Sequence, residues 1–251
     1  MCKYFSEKMK YKAIFIDIDD TVLDYIPCCR EAFDRAMEVL LNEGMVACEA
    51  GSMSATSSRM DELFELFMAI SGRLFSEAKH GLHTIAEVMD LYPAEFCETA
   101  GFPPDTVEPF KHAFRKYWGT THVLVAEAKE TLEELHNQGY RLFAASNSFG
   151  HLQRSRLQYA GVLNLFEDTY ISMDIGYDKP DVRFYEEALR RCRLRPQDVL
   201  MVGDSMTTDI VGAQQAGLDT CWFNKYDEQR HEALPTYVIR RLGELIVVVG
   251  S

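Results

Sequence analysis

The sequence lacks the features that stabilise small secreted domains. Its 251 residues include seven cysteines, an odd number, and no two of them form a C-x-x-C pair. We therefore expect neither a disulfide framework nor a structural zinc site, and reduced thiols in the cytoplasm are the simpler interpretation. A chain of this length also buries enough surface to fold without such crosslinks.

Membrane-spanning segments and an excess of positive charge are missing as well. The apolar run Ala13–Ile16 is followed at once by Asp17, so it is too short for a membrane span or a secretory segment. Lysine and arginine number 26 against 39 aspartates and glutamates, which gives a net charge of -13. This charge repels nucleic acid polymers and anionic lipid, so neither is an expected partner. A small anionic substrate is still compatible with this net charge if a metal ion or a local cation makes the electrostatic potential positive at one site.

What the sequence does contain is an alternation of short apolar strands, loops and helices. Near-continuous apolar runs of this kind are typical of strands that are covered on both faces. Strands are predicted at Tyr11–Asp17, Arg141–Ser146, Thr169–Met173, Val199–Gly203 and Thr220–Phe223. Helices are predicted between them at Glu127–Gln138, Val182–Cys192 and Thr208–Ala216. The order of these elements favours an α/β fold with a mostly parallel sheet.

The stretch between residues 24 and 120 has a different pattern, with helical periodicity and few strand signals. The spacing Ser58-x-x-Asp61 predicts a capping box at the start of a helix, and Gly81 is placed to end it. We therefore predict a helical domain at residues 25–120, inserted into an α/β core formed by residues 1–24 and 121–251.

Two aspartates follow the first predicted strand directly, in the run D-I-D-D-T. If the chain stays extended, Asp17 and Asp19 point the same way at the carboxyl end of the strand, whereas Asp20 points away. Neighbouring carboxylates repel each other unless a cation lies between them, so the spacing indicates a divalent metal. The alternative is an acidic turn in which Asp20 or Thr21 caps the next segment.

Three further segments follow other predicted strands. Asp204 and Asp209 lie after the fourth strand and could complete a metal site, or they could belong to a plain loop and a helix N-terminus. Ser146 and Asn147 follow the second strand and could cradle an oxyanion or phosphate, or simply cap a helix. Lys179 follows the third strand, where it is either a solvated surface charge or a cation that reaches the other strand ends.

The combination of these segments is more informative than any one of them. Each lies just beyond the carboxyl end of a different predicted strand, where open α/β sheets bind ligands. The motifs D-I-D-D-T, the serine after strand two, D-K-P-D and G-D-S-M-T-T-D occur in this order. Through them the sequence resembles the haloacid dehalogenase-type (HAD) hydrolase superfamily. The resemblance implies a Rossmann-like parallel sheet and a helical insert similar to a C1-type cap.

The resemblance also implies catalytic and metal-binding roles. Asp17 would be the nucleophile that forms an aspartyl-phosphate. Asp19 would protonate the leaving oxygen and then deprotonate the attacking water. Mg²⁺ would be held by the carboxylates of Asp17 and Asp204 and by the backbone carbonyl of Asp19.

The remaining residues would hold the substrate by the same resemblance. Ser146 and the Asn147 amide would bind phosphoryl oxygens, and Lys179 would offset negative charge on the nucleophile and the phosphate. Asp209 would orient Lys179 or a water on the metal.

The expected function is a Mg²⁺-dependent phosphomonoester hydrolase that acts on a small phosphorylated metabolite. Within the superfamily the chain looks most like nucleotidase-type members of the YjjG/YfnB kind, through Val22-Leu23-Asp24, the cap size and the tail Pro235–Ile239. The resemblance therefore favours a nucleoside 5'-monophosphate. The alternatives are a sugar phosphomutase, a phosphoglycolate-type phosphatase, or an inactive binding module on the same scaffold.

Overall fold

The described part of the chain forms two compact units. The computed structural model describes residues 9–46, 53–227 and 234–250. One unit, the sheet unit, contains the chain up to Leu23, Leu124–Ser146 and the chain from Val162 onward. The other, the helical unit, contains Asp24–Val123 and Asn147–Gly161.

The sheet unit is built on six strands that are all parallel. In chain order they are Ala13–Ile16 (β1), Arg141–Ser146 (β2), Asp168–Ile171 (β3), Val199–Gly203 (β4), Asp219–Phe223 (β5) and Tyr237–Ile239 (β6). Their order across the sheet is β3-β2-β1-β4-β5-β6. The direction of winding reverses between β1 and β4, and a reversal of this kind opens a crevice at the carboxyl ends of the two strands.

The central strands are those with the most apolar sequences. Every residue of β1 and β4 is buried, as expected for strands that are covered on both faces. The predicted bounds of β2 and β4 are confirmed, and β3 is offset because the chain turns into a helix at Ser172. β6 was not predicted as a strand, since three residues are too few to show a periodic pattern. The predicted α/β class, with a Rossmann-like parallel sheet and an inserted helical part, is confirmed.

Ten helices accompany the sheet in the described residues. In chain order they are Tyr25–Asn42 (α1), Met53–Lys79 (α2), Ile85–Thr99 (α3), Val107–Trp118 (α4), Ala128–Asn137 (α5), Gly150–Tyr159 (α6), Ser172–Ile175 (α7), Val182–Cys192 (α8), Gly212–Gln215 (α9) and Glu244–Val249 (α10). The helix predicted at Thr208–Ala216 is instead a π-helical turn, Met206–Val211, that leads into the short α9.

The helical unit is held together by aromatic side chains on its helices. Phe67 of α2 lies 5.2 Å from Phe33 and 5.4 Å from Phe96 between ring centroids, and Phe96 lies 5.0 Å from Phe110. These rings are all buried, and tilted or edge-on contacts of this kind add to the stabilisation from area burial alone.

The predicted capping box at Ser58-x-x-Asp61 is wrong. Ser58 lies inside α2, which begins five residues earlier at Met53. The capping box that the structure contains is at the start of α3, where Thr84 Oγ1 accepts from the Glu87 N–H at 3.2 Å and Glu87 Oε2 accepts from the Thr84 N–H at 2.8 Å. A serine and an acid three residues apart also fit within a helix, so spacing alone did not separate the two cases.

The helical unit is larger than the predicted insert at residues 25–120, because it also contains Asp24, residues 121–123 and Asn147–Gly161. The prediction placed residues 121–251 in the α/β core, but α6 groups with the helical unit. Leu152 of α6 is buried in the aromatic cluster, and the fully buried Arg156 guanidinium lies 3.8 Å from the centre of the Trp118 ring. The apolar face of α6 therefore packs against α4 of the helical unit.

The described residues bear on two expectations from composition, reduced cysteines and the lack of a membrane-spanning segment. Cys28, Cys29, Cys97, Cys192 and Cys221 are buried and none of these five forms a disulfide, whereas Cys2 and Cys48 lie outside the described residues. Within the same ranges no helix combines the length and the apolar character that a membrane crossing requires.

Candidate active site

Three carboxylates converge at the carboxyl ends of β1 and β4. Asp17 follows β1, and its backbone N–H donates to the Val202 carbonyl at 2.9 Å. Because Ile16 and Val202 are paired in the sheet, Asp17 and Asp204 leave it on adjacent strands. One carboxylate oxygen each from Asp17, Asp204 and Asp209 lies within 4.8 Å of the other two. It is the one cluster of this kind within the described ranges.

The π-helical turn Met206–Val211 brings Asp209 into this cluster. The Ser205 N–H donates to Asp209 Oδ2 at 3.0 Å, and Ser205 Oγ accepts from the Thr208 N–H at 3.3 Å. Asp209 lies directly against Gly203, where an added Cβ would come within 2.3 Å of Asp209 Oδ2. The glycine that ends β4 is therefore required for the position of this carboxylate.

Lys179 is the central cation of the site. Its ammonium donates to Asp17 Oδ1 at 2.7 Å, to Asp209 Oδ1 at 2.6 Å and to the Ala145 carbonyl at 2.8 Å. The side chain is only 2% exposed, so the alternative of a solvated surface charge is wrong. The three hydrogens of one ammonium thereby connect the strand ends of β1, β2 and β4.

The buried charges perturb one another strongly. Burial raises the pKa of Asp17 well above its usual range, Lys179 opposes that rise, and Asp209 and Asp204 add to it. Burial alone would lower the pKa of Lys179, but Asp17 and Asp209 raise it above its ordinary value. The two carboxylates thus stabilise Lys179 in its charged form.

The donor set fits a hard divalent cation. All three ligand groups are carboxylates, and Mg²⁺ prefers oxygen ligands and completes its octahedron with water. A cation there would also offset the repulsion that raises the pKa of Asp17. Both oxygens of Asp209 already serve as acceptors, Oδ1 for the Lys179 ammonium and Oδ2 for the Ser205 N–H.

The predicted phosphate cradle lies after β2. Ser146 is the last residue of the strand and is buried, and Asn147 follows it with partial exposure. The Lys179 ammonium donates to the carbonyl of Ala145, which is the residue directly before Ser146. Ser146 is therefore adjacent in sequence to a residue that binds the central cation.

Asp19 lies where the chain passes from β1 into a turn. β1 ends at Ile16, and beyond it the Ile18 carbonyl accepts from the N–H of Val22 and of Leu23, both at 2.8 Å. The chain from Ile18 to Leu23 is therefore a closed turn, in which Asp19 forms an isolated bridge with Leu23. Asp19 is partly exposed in this turn, outside the cluster of three carboxylates. Its catalytic role stays a prediction.

Two aromatic side chains that sequence analysis did not single out also support the site. The indole N–H of Trp222 on β5 donates to the Asp204 carbonyl at 2.8 Å. The fully buried Tyr185 hydroxyl on α8 donates to the Thr208 carbonyl. The sequence shows both only as apolar positions of a strand and a helix, so its periodicity does not reveal their hydrogen bonds.

Lys225, in the loop after β5, is a further residue that the sequence pattern did not indicate. Its ammonium pairs with Asp20 Oδ1 at 2.8 Å. Asp20 therefore lies in an ion pair with a residue of the loop after β5.

Comparison with known proteins adds an independent line of argument. A model of the family described as haloacid dehalogenase-like hydrolase matches residues 11–217, which include every predicted site residue. The chain is 27% identical over 243 residues to the HAD-hydrolase YfnB of Bacillus subtilis, with 96% of each chain covered. The crystal structure of YfnB bound to magnesium matches with a TM-score of 0.80 at 27% identity, covering 96% of this chain and 100% of that one.

Two relatives carry names that describe an activity. The chain is 27% identical over 220 residues to a glyceraldehyde 3-phosphate phosphatase of Methanothermobacter thermautotrophicus, with 85% of each covered. It is 26% identical over 240 residues to the pyrimidine 5'-nucleotidase PynA of Streptococcus pneumoniae, with 95% of this chain and 94% of that one covered.

Proposed function

The chain belongs to the haloacid dehalogenase-like hydrolase family, and on that premise we propose that it is a Mg²⁺-dependent phosphatase of small phosphomonoesters. The reaction runs through an aspartyl-phosphate on Asp17. The observation that carries this proposal is the buried ammonium of Lys179, which bonds both Asp17 and Asp209 beside a cluster of three carboxylates. A surface-binding module would have no need for a charge network that is so fully removed from water.

In the first half of the reaction, a carboxylate oxygen of Asp17 attacks phosphorus. A new bond forms between that oxygen and phosphorus, and the bond from phosphorus to the ester oxygen breaks. Asp19 gives its proton to the departing oxygen, which leaves as an alcohol. Lys179, Ser146 and the Asn147 amide offset and orient the negative charge on the phosphoryl oxygens.

In the second half, water releases the phosphoryl group. Asp19, now ionised, takes a proton from the water that attacks phosphorus. The bond between phosphorus and the Asp17 oxygen breaks, which regenerates the carboxylate and yields inorganic phosphate. The proton returned to Asp19 restores the acid for the next turnover.

Mg²⁺ would be held by the carboxylates of Asp17 and Asp204 and by the Asp19 backbone carbonyl. When bound, it supplies positive charge that lets an anionic nucleophile approach an anionic phosphate. Asp209 orients Lys179 through the hydrogen bond that the two share.

A nucleoside 5'-monophosphate is the proposed substrate. The match to a pyrimidine 5'-nucleotidase over most of both chains supports it. The match to a glyceraldehyde 3-phosphate phosphatase at similar identity makes a triose phosphate the competing substrate. Phosphate release from uridine monophosphate, cytidine monophosphate and glyceraldehyde 3-phosphate, measured side by side, separates the two. Turnover of the triose phosphate alone would refute the nucleotide assignment.

The covalent route and the metal are tested separately. Asp17→Asn abolishes phosphate release while the protein stays folded, and Asp204→Ala raises the Mg²⁺ concentration needed for half-maximal activity. Asp105→Asn is the matched control, because Asp105 is an exposed carboxylate of the helical unit and its substitution leaves both readouts unchanged. Activity that survives Asp17→Asn would mean that the nucleophile is another group.

A mutase is distinguished by its product. The phosphatase releases inorganic phosphate in step with the alcohol, whereas a mutase returns an isomerised phosphate ester. A sugar phosphate that is isomerised without phosphate release would overturn the proposal.

A further inference from the structure

The loop that follows β5 is fixed at two points beside the candidate site. Immediately after the last residue of β5, the Asn224 N–H donates to the Ile239 carbonyl at 2.8 Å, which ties the loop to β6. One strand residue earlier, the Trp222 indole N–H donates to the Asp204 carbonyl. The backbone at Lys225 therefore leaves the sheet from a well-defined position.

Lys225 reaches from this loop to the turn that follows β1. Its ammonium lies 2.8 Å from Asp20 Oδ1 and 4.8 Å from the centre of the Tyr226 ring. The Lys225 side chain is 15% exposed and that of Asp20 is 23% exposed. An ion pair that is shielded to this degree is stronger than the exposed pairs typical of protein surfaces.

Asp20 is a sensitive point of that turn. Its φ of 61° is in the left-handed region, which few side chains adopt without strain, and its N–H donates to the Leu23 carbonyl at 2.7 Å. Asp19 is the preceding residue, with its Cα about 3.8 Å away across one rigid peptide unit. An ion pair that holds the Asp20 carboxylate therefore also restrains the backbone of the neighbouring Asp19.

We propose that Lys225 is a positioning residue for Asp19, acting through the Lys225–Asp20 ion pair. The inference rests on the proposed function, in which Asp19 protonates the departing oxygen. A general acid that is displaced by a fraction of an ångström transfers its proton poorly, while the attack by Asp17 proceeds as before. The ion pair therefore matters most for substrates whose departing oxygen needs a proton in order to leave.

The test is the dependence of turnover on the leaving group. A series of substituted phenyl phosphates, from phenyl phosphate to p-nitrophenyl phosphate, varies the need for proton donation with little change in shape. We expect Lys225→Met to lower kcat/KM, which reports only the steps up to departure of the alcohol, by about 10- to 100-fold for phenyl phosphate and by no more than about threefold for p-nitrophenyl phosphate. The constant kcat is not the readout, because Asp19 also acts as the base that releases the phosphoryl group from Asp17, a step that every substrate shares.

Three companion variants make the experiment specific. The slope is the dependence of kcat/KM on the leaving group across the phenyl phosphate series. Lys225→Arg keeps the wild-type slope, because arginine keeps the charge and reaches the same carboxylate. Asp20→Asn reproduces the steep slope of Lys225→Met, and the double variant is no steeper than either single one. Lys129→Met is the matched control, since Lys129 forms an exposed 4.0 Å pair with Glu133 in the same unit, and it leaves the slope unchanged.

The outcomes separate this inference from the proposed function. An equal loss of kcat/KM with every leaving group would overturn the positioning role in favour of general loosening or direct substrate binding. Asp19→Asn is the reference, and it should give the steepest slope of all. If Asp19→Asn shows no leaving-group dependence, the acid itself is misassigned and the proposed function fails at that residue. If it does show the dependence and Lys225→Met does not, only the positioning role is refuted.

Discussion

Replacement of Gly203 by alanine probes how tightly the acidic cluster is packed. The added methyl carbon would lie 2.3 Å from Asp209 Oδ2, 2.4 Å from its Cγ and 2.6 Å from its Cβ. All three distances are far below van der Waals contact, so the Asp209 side chain has to move. It is 1% exposed and has no empty space at hand, because Lys179 holds one oxygen and the Ser205 N–H holds the other.

The expected loss in the free energy of unfolding follows from the hydrogen bonds that this movement of Asp209 breaks. A hydrogen bond to a charged group is worth about 1.5–3 kcal/mol, and Gly203→Ala endangers two of them. Alanine also lowers the conformational entropy of the unfolded chain relative to glycine, which offsets about 0.4–1 kcal/mol of this loss of stability. The net loss of about 2–5 kcal/mol corresponds to a fall in Tm of about 5–15 °C for a protein of this size. Displacement of Lys179 along with Asp209 should lower kcat by about 100-fold.

Thermal unfolding and phosphate release measure both effects. Gly72→Ala is the control, because no atom lies within 4 Å of an added Cβ there and alanine is the better helix former in α2. It should leave activity intact and Tm unchanged or slightly raised. A Gly203→Ala protein with wild-type Tm and kcat would refute the claim that Asp209 is fixed against this glycine.

Three other substitutions test separate parts of the structure. Arg195 and then Lys12 lower the pKa of Asp198 to about 2. The stability from this carboxylate is therefore full above about pH 4 and is lost as the pH falls through about 2, so the Tm difference between wild type and Asp198→Asn should shrink steadily over that range. Tyr185→Phe removes a buried donor, which should cost about 1–3 kcal/mol and lower Tm by several degrees; an unchanged Tm would show that the hydroxyl is dispensable. Ser146→Ala should lower kcat/KM by about 10²-fold or more without unfolding the protein, and wild-type kinetics would remove Ser146 from the phosphate site.

The sequence predicted the sheet better than the helices around it. Buried parallel strands such as β4 consist of continuous apolar residues between polar loops, and this local signal is strong. The helix starting at Ser58 failed because the spacing of a capping box also occurs inside helices. β6 and the grouping of α6 with the helical unit depend on contacts with distant residues, which no local pattern contains.

For the candidate site, too, local patterns were predictable and contacts between distant residues were not. The strand ends gave the approximate positions of Asp17, Asp204 and Lys179, because parallel strands bring their carboxyl ends to one edge. The partners of these residues were beyond prediction. Whether a lysine faces water or two carboxylates depends on the path of its loop, and the Trp222 indole that holds the Asp204 carbonyl lies on a strand whose pattern indicates only burial.

The position of β1 within the sheet has a consequence for biosynthesis. β1 is made first, yet its neighbours are β2, which begins at Arg141, and β4, which begins at Val199. Until β4 has been synthesised, the nascent chain has one edge of its first strand unpaired and none of the late aspartates available. A nascent chain that ends before Val199 therefore lacks both a neighbour of β1 and two of the three carboxylates of the acidic cluster.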